Sequence, residues 1–209
     1  MPKRNSVKVY GAPHYYHLYN RGVDRQNIFG DPEDYFFFLS LFKRHLSATP
    51  DTDSSGRVYA DFSNEVELVA FCLMPNHFHL LVFLKEPQGI VHLTRSVMTA
   101  YTMYFNKKYK RSGGLYEGAF LASPIDSDIY LWHISRYIHQ NPRDLGYDYR
   151  KYPYSSMQYY SGRLQADWLS SRRLVETDKD RKEYLQFVAD YQTMNAELDH
   201  LKQILASES

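Results

Sequence analysis

The sequence is poor in cysteine and has no long hydrophobic run. Its single cysteine, Cys72, excludes an internal disulfide bond and a zinc site built from several cysteines, and it indicates a reducing compartment. The longest apolar stretches stop well short of the ~20 residues that a membrane-spanning helix needs. No basic and apolar signal segment stands at the N-terminus, so we expect a cytoplasmic protein that does not enter a membrane.

Neither sign of charge is in clear excess, because the formal net charge is only +1. Its distribution is uneven: from position 174 onward, eight acidic and four basic residues give −4, so the preceding residues carry +5. This modest basic bias is compatible with a polyanionic partner but does not demand one. Tyrosine is abundant, at 20 of 209 residues. Only position can therefore distinguish a reactive tyrosine from those that pack in the core or at an interface.

The order of apolar patterns and helix caps predicts one α+β domain. With 209 residues and 44% hydrophobic content, the chain can bury a single core. Strands separated by helices, with two neighbouring strands in the middle, indicate antiparallel pairing rather than a doubly wound sheet. Strands are predicted at 14–20, 66–73 and 78–84, an irregular or strand segment at 115–121, and helices at 31 to about 45, 88–110 and from 126 or 127 to 141.

The stretch CLMPNHFHLLVF, residues 72–83, places two histidines inside an apolar run. Side chains at i and i+2 of a strand share a face, so His77 and His79 stand close enough to bind one divalent metal ion. The alternative is that each ring is satisfied by the backbone or by water. The cost of burying two unpartnered imidazoles among Phe, Leu and Val favours the metal.

The predicted helix over 128–141 carries a stripe of polar and aromatic side chains. Steps of three, four and seven residues bring Tyr130, His133, Tyr137 and Asn141 to one face. Two simpler explanations stay open. The tyrosines could cover the edge of the core, and Asn141 could be merely the last helical residue before a proline.

Three separated motifs occur in order: MPNHFHLLV at 74–82, SRYIHQNP at 135–142 and YPYSS at 152–156. With them the chain resembles the single-tyrosine HUH transposases, and among these the REP-associated tyrosine transposases, over roughly residues 16–188. The resemblance implies the HUH endonuclease fold, a ferredoxin-like antiparallel sheet, with helices expected on one side of it. After Pro142 the chain departs from the family, since RDLGYDY replaces a basic or small stretch. That departure concerns DNA contacts rather than catalytic positions.

The resemblance also assigns roles to residues. In the family the paired histidines bind Mg²⁺ or Mn²⁺, the tyrosine of the YIxxNP motif is the nucleophile, and the polar residue four positions later completes the metal site. Carried over, the metal ligands are His77, His79 and Asn141, and Tyr137 is the catalytic nucleophile.

The implied activity is that of a metal-dependent single-stranded DNA endonuclease and strand transferase with a phosphotyrosine intermediate, acting on palindromic hairpin repeats. Two alternatives remain. One is a catalytically idle relative that binds such hairpins, and the other is a metal hydrolase in which water attacks instead of tyrosine.

Two basic clusters are candidates for DNA binding. One comprises Lys107, Lys108, Lys110 and Arg111, and the other lies near the N-terminus and includes Arg4 and Arg21. Charge runs are often only solvated faces, but cations beside aromatic rings are also what single-stranded nucleic acid binds. The resemblance favours the second interpretation.

We expect a catalytic domain at 10–162 and a C-terminal helical extension at 163–209. The extension repeats apolar residues at alternating spacings of three and four, which predicts an a/d seam on a helix. The seam either packs on its own domain or mediates a dimer. Its residues are Tyr184, Phe187, Tyr191, Met194, Leu198, Leu201 and Leu205.

Overall fold

The computed structural model describes residues 10–49 and 51–190. Within them, strands and helices follow one another in a β-α-β-β-α-β order, and further helices come after the last strand. The elements are β1 (His14–Arg21), α1 (Pro32–Leu46), β2 (Val66–Met74), β3 (His77–Leu84), α2 (Gly89–Lys108), β4 (Leu121–Ile125), α3 (Asp128–Gln140), α4 (Met157–Tyr160) and α5 (Asp178–Ala189), with short 3-10 turns at Val23–Arg25, Asn141–Leu145 and Ser171–Arg173.

The four strands form one antiparallel sheet in the order β2-β3-β1-β4. This order and the alternation of strands and helices are those of a ferredoxin-like fold, so the predicted α+β class is confirmed. The register pairs Tyr19 of β1 with His79 of β3, and Arg21 with His77. The ends of the two central strands therefore meet where the histidines lie.

Both faces of the sheet are covered, so the expectation of helices on one side is wrong. Phe78, Leu80 and Val82 point toward a core shared with α1 and α2. Leu81, between them, belongs to a second core that includes residues of α3 and α5. Because β2 and β3 are apolar on both faces, each face must be buried, and the pleat places His77 and His79 on the face that carries α3.

Local capping signals decide where the helices begin. Asp31 caps α1 by accepting from the Asp34 backbone at 3.2 Å, and Pro32 occupies the first turn. Ser127 caps α3 by accepting from the Tyr130 backbone at 3.2 Å, so of the two predicted starts, 126 or 127, the second is correct. The segment expected at 115–121 is mostly irregular, and β4 begins only at its last residue.

A buried carboxylate joins the start of α1 to the end of α2. Asp34 accepts hydrogen bonds from the Gly30 backbone at 2.7 Å and the Tyr109 hydroxyl at 2.8 Å, and it pairs with Lys108 at 2.8 Å. Lys108 also lies 2.9 Å from Glu33. Burial alone would raise the pKa of Asp34, but Lys108 and the other donors outweigh it and hold that pKa below its ordinary value.

Helix α5 is fastened to α3 by buried polar groups. The imidazole of His139 on α3 lies 2.7 Å from the Tyr184 hydroxyl and 2.6 Å from the Ser156 hydroxyl. The Tyr184 hydroxyl also donates to Ser135 at 3.0 Å. Tyr184 is fully buried and Phe187 packs against the same core. The first two residues of the predicted seam thus contact the chain's own α3, and the other five lie outside the described residues.

None of the helices within residues 10–49 and 51–190 combines the length and apolar character needed to cross a bilayer.

We predict that Asp34→Asn lowers the free energy of unfolding by about 2 kcal/mol at pH 7, because it breaks a buried charge pair and several hydrogen bonds. The folded-state pKa lies below the value near 3.8 of the free carboxyl. The stabilisation is therefore present above about pH 4 and is lost as the pH falls further, because the unfolded chain then takes up the proton more readily. Urea unfolding at several pH values measures both effects.

Glu33→Gln is the matched control, since this exposed neighbour also pairs with Lys108 and should cost less than about 1 kcal/mol. Equal losses in the two variants would contradict a special contribution of Asp34.

We also predict that the full chain and a chain ending at Asp190 both sediment as monomers, because Tyr184 and Phe187 already pack within the chain. A dimer formed only by the full chain would show that the remaining seam residues bind a second copy.

Candidate active site

The site lies between the start of β3 and the end of α3. The period of two in β3 sets His77 and His79 side by side, with ring centroids 5.1 Å apart and planes at 82°. The Tyr137 ring stands over them, its centroid 5.2 Å from that of His79. Leu131, Ile134 and Ile138 are buried against the sheet and hold the helix in this orientation.

Asn141 follows Tyr137 by one helical turn and reaches the same place. It caps α3, is only 5% exposed, and its side-chain Nδ2 donates to the Tyr137 carbonyl at 3.0 Å. Its amide also shifts the pKa of both the His77 imidazole and the Tyr137 phenol, so it lies next to both groups. The structure thus brings together all four residues to which the resemblance gave catalytic or metal roles, while the roles themselves stay predictions.

The turn before β3 fixes the His77 ring. His77 Nδ1 lies 2.7 Å from Asn76 Oδ1, and Asn76 Nδ2 donates to the Arg25 carbonyl at 3.3 Å. An amide oxygen can only accept, so His77 carries its proton on Nδ1 and keeps a lone pair on Nε2. The Gly22 backbone donates to the Asn76 carbonyl at 2.8 Å, and a Cβ at Gly22 would stand 2.1 Å from the Gln26 carbonyl oxygen. Only glycine allows this approach.

One residue of the site was not singled out from the sequence. His17, on β1, lies on the same face as the paired histidines, and its Nε2 is 2.9 Å from His79 Nδ1. It is fully buried, and its ring centroid is 6.1 Å from that of Tyr137. The sequence shows that His17 and Tyr19 share a face of the first strand. It does not show that His17 contacts His79, because that contact depends on the register between β1 and β3.

Burial sets the protonation states of the site. It lowers the pKa of His77, and it lowers that of His79 well below the ordinary value, with the neighbouring His17 and His77 adding to the effect. Burial raises the pKa of Tyr137 to about 12, against the lowering effect of the Asn141 hydrogen bond. Near pH 7 the imidazoles are therefore neutral, as metal binding requires, and the phenol is protonated.

The donor set fits a small divalent cation. The described residues contain no group of three or more His, Cys, Asp or Glu side chains that could hold a metal. The candidate set instead combines two neutral imidazoles with one amide oxygen. The amide oxygen suits Mg²⁺ or Mn²⁺, whereas the imidazole nitrogens are donors that transition metals accept more readily than Mg²⁺ does, so the set fits Mn²⁺ better than Mg²⁺. Three protein ligands would leave other coordination positions open.

The predicted DNA-binding residues occupy different surroundings. Lys107 and Lys110 are exposed at the end of α2, and Arg111 lies over the Phe105 ring at 5.6 Å. The charge of Lys108 is already matched by the acidic residues at the start of α1. Arg21 forms a two-pronged pair with Glu117, both contacts at 3.0 Å, next to His77. Arg4 lies outside the described residues.

Residues 58–141 match the family described as Transposase IS200 like. The resemblance to these transposases is confirmed. The IS200-like match contains His77, His79 and Tyr137 and ends at Asn141, whereas β1 with His17 precedes it. No curated protein matches the chain significantly.

Among solved structures, one of a REP-associated tyrosine transposase bound to a REP hairpin is similar in fold. The TM-score is 0.55 at 15% sequence identity, covering 80% of this chain and 92% of the other. A candidate transposase from Deinococcus radiodurans R1 aligns with a TM-score of 0.40 at 17% identity, covering 66% of this chain and 97% of the other.

We predict that His77→Ala reduces the affinity for Mn²⁺ at least ~10-fold, because it removes one of the three predicted protein ligands. The titration of the full chain with Mn²⁺, followed by the electron paramagnetic resonance signal of the free ion, measures the loss. His92→Ala serves as control, since His92 lies on α2, away from the site, and pairs with Glu65 at 2.6 Å. Unchanged affinity in His77→Ala would remove His77 from the metal site.

Proposed function

We propose that the chain is a metal-dependent single-stranded DNA endonuclease and strand transferase that uses Tyr137 as its nucleophile. The observation that supports this most directly is the placement of the Tyr137 phenol beside Asn141 and 5.2 Å, between ring centroids, from His79. A nucleophile and a set of metal ligands held in one geometry are what cleavage of a phosphodiester needs.

His77, His79 and Asn141 would hold the cation. Bound there, a divalent metal supplies Lewis acidity toward a phosphate oxygen and orients the phosphate for in-line attack. The neighbours of the ligands prepare the site in advance, since Asn76 orients His77 and the α3 helix end orients Asn141.

Tyr137 carries the covalent step. Its phenol loses its proton, and the oxygen forms a bond to phosphorus while the bond from phosphorus to one sugar oxygen breaks. The departing sugar oxygen takes up a proton. Because one phosphodiester is exchanged for another, a hydroxyl of a second DNA end can reverse the step and join the strands without ATP. Because burial raises the pKa of the Tyr137 phenol to about 12, the phenol is protonated near pH 7 and must lose its proton before it attacks.

The surroundings of the site suit a single strand. Past Asn141 the chain exposes Arg143, Tyr147, Arg150 and Lys151, with the Tyr147 side chain 54% exposed. A cavity of about 250 Å³ opens beside them, walled by Tyr35, Pro75, Tyr147, Asp148, Lys151, Tyr152, Pro153 and Tyr154. The exposed Tyr147 ring can stack on an unpaired base, and neighbouring cations can contact phosphates, although Arg150 already pairs with Asp148 at 2.9 Å. Bases that are paired inside a duplex are not open to such stacking. The segment that departs from the family sequence thus keeps a surface suited to nucleic acid.

The similar structure with a bound REP hairpin supports a hairpin as the substrate. An idle hairpin-binding relative and a hydrolase that activates water are the competing functions. All three are separated by incubating the full chain with a labelled single-stranded hairpin and Mn²⁺. Protein-linked DNA indicates the transferase, a nick without linkage indicates the hydrolase, and binding without a nick indicates the idle relative.

We predict that Tyr137→Phe abolishes the protein–DNA adduct and leaves hairpin binding within about twofold, because only one oxygen is removed and most phosphate contacts lie elsewhere. Denaturing gel electrophoresis detects the adduct, and a filter assay measures binding. Tyr130→Phe is the matched control on the same helix stripe and should retain the adduct. An adduct in Tyr137→Phe that disappears in Tyr130→Phe would place the nucleophile two turns earlier.

A further inference from the structure

We propose that His17 is a positioning residue that orients the His79 ring and fixes its proton on Nδ1, so that Nε2 is free to bind the metal. The inference rests on the proposed metal site but concerns a residue of another strand, outside the ligand set. His17 Nε2 lies 2.9 Å from His79 Nδ1, with the two rings nearly parallel at 25° and their centroids 5.0 Å apart. The hydrogen bond therefore joins a fully buried side chain to a predicted ligand.

The direction of this hydrogen bond decides whether His79 can bind a metal. Only one proton lies between two neutral imidazole nitrogens. If His79 Nδ1 donates to His17 Nε2, His79 keeps its lone pair on Nε2. If His17 donates instead, His79 carries its proton on Nε2 and has no nitrogen left for a cation. The metal site therefore requires His17 to act as the acceptor.

His17 differs from a histidine that only fills the core. His139, equally buried, uses both ring nitrogens, with the Tyr184 hydroxyl at 2.7 Å and the Ser156 hydroxyl at 2.6 Å. His17 uses one, because its Nδ1 is buried without a hydrogen-bond partner among the described residues. An unsatisfied buried nitrogen destabilises the fold in either tautomer. A purely structural position would favour an apolar ring here, so the imidazole at position 17 points to a role at His79.

His77 and His79 are then oriented in the same way, each by a hydrogen-bond acceptor next to its Nδ1. Asn76 Oδ1 accepts from His77 Nδ1, and His17 Nε2 accepts from His79 Nδ1. Each ligand is fixed by an acceptor on the nitrogen that does not face the cation, which is the common arrangement behind metal-bound histidines. Asn76 comes from the turn before β3, whereas His17 comes from the neighbouring strand.

The test compares two substitutions in the full chain without DNA. His17→Phe keeps a ring but removes the acceptor, and we expect the affinity for Mn²⁺ to fall ~10- to 100-fold. His17→Gln can place an amide oxygen near the position of Nε2 and should recover most of that loss. Calorimetric titration with Mn²⁺ gives the affinities, and circular dichroism verifies the fold.

His45→Phe is the matched control, because His45 is a buried histidine that bonds the Ala60 carbonyl in the other core and should leave Mn²⁺ affinity unchanged. Wild-type affinity in His17→Phe would overturn the proposal, and so would an equal loss in His17→Gln and His17→Phe. If the unmodified chain and His77→Ala bind Mn²⁺ equally, the proposed metal site itself fails, which is a different result.

A second measurement does not depend on the folding of a variant. Long-range proton–nitrogen correlation spectra of the unmodified chain report which ring nitrogen of each histidine carries the proton. We expect both His79 and His17 to be protonated on Nδ1 in the metal-free protein. A His79 ring protonated on Nε2 would show that His17 donates the hydrogen bond, and the proposal would be wrong.

Discussion

The candidate site depends on how α3 packs on the sheet. Ile134 and Ile138 are fully buried against the second face of the sheet, which fixes the rotation of the helix. Since each residue turns the helix by 100°, this rotation directs Tyr137 toward His79, and Asn141 follows one turn later on the same side. A rotation by a single residue would carry the phenol away from the histidines while burying a different stripe.

The site is costly to keep, and the rest of the fold offsets that cost. The imidazoles of His17 and His79 are buried, and the Tyr137 phenol is partly buried, at positions where apolar side chains would be more stabilising. The fold tolerates this loss of stability because large apolar cores cover both faces of the sheet, one beneath α1 and α2 and one beneath α3 and α5. A sheet with one solvated face would hold the same histidines in water, where their tautomers and orientations would be averaged.

What sequence patterns predicted well is local in origin. The start of the first helix near position 31, the pleat of β3 and the stripe of α3 each follow from residues a few positions apart, and the structure contains all three. The sequence patterns did not predict contacts between residues that are far apart in the chain. The bond between His17 and His79 depends on strand register, and the ion pairs that neutralise Lys108 depend on α1 and α2 meeting end to end. The second helical layer follows from where α3 and α5 pack on the second face of the sheet, which no local spacing encodes.

The docking of α5 also fixes the proposed nucleophile, Tyr137, to a distant part of the chain. Arg136 directly precedes Tyr137, and Gln140 follows it by three residues. Both side chains donate to backbone carbonyls at the end of α5. Arg136 donates to Phe187 and Asp190, and Gln140 donates to Val188. The Arg136 guanidinium also lies 4.2 Å from the Phe187 ring centroid. Carbonyls in the last turn of a helix lack partners within it, so α3 satisfies groups that α5 leaves open. The helix that carries Tyr137 therefore cannot shift along the sheet without breaking these bonds, and its position is determined as much by α5 as by the sheet below it.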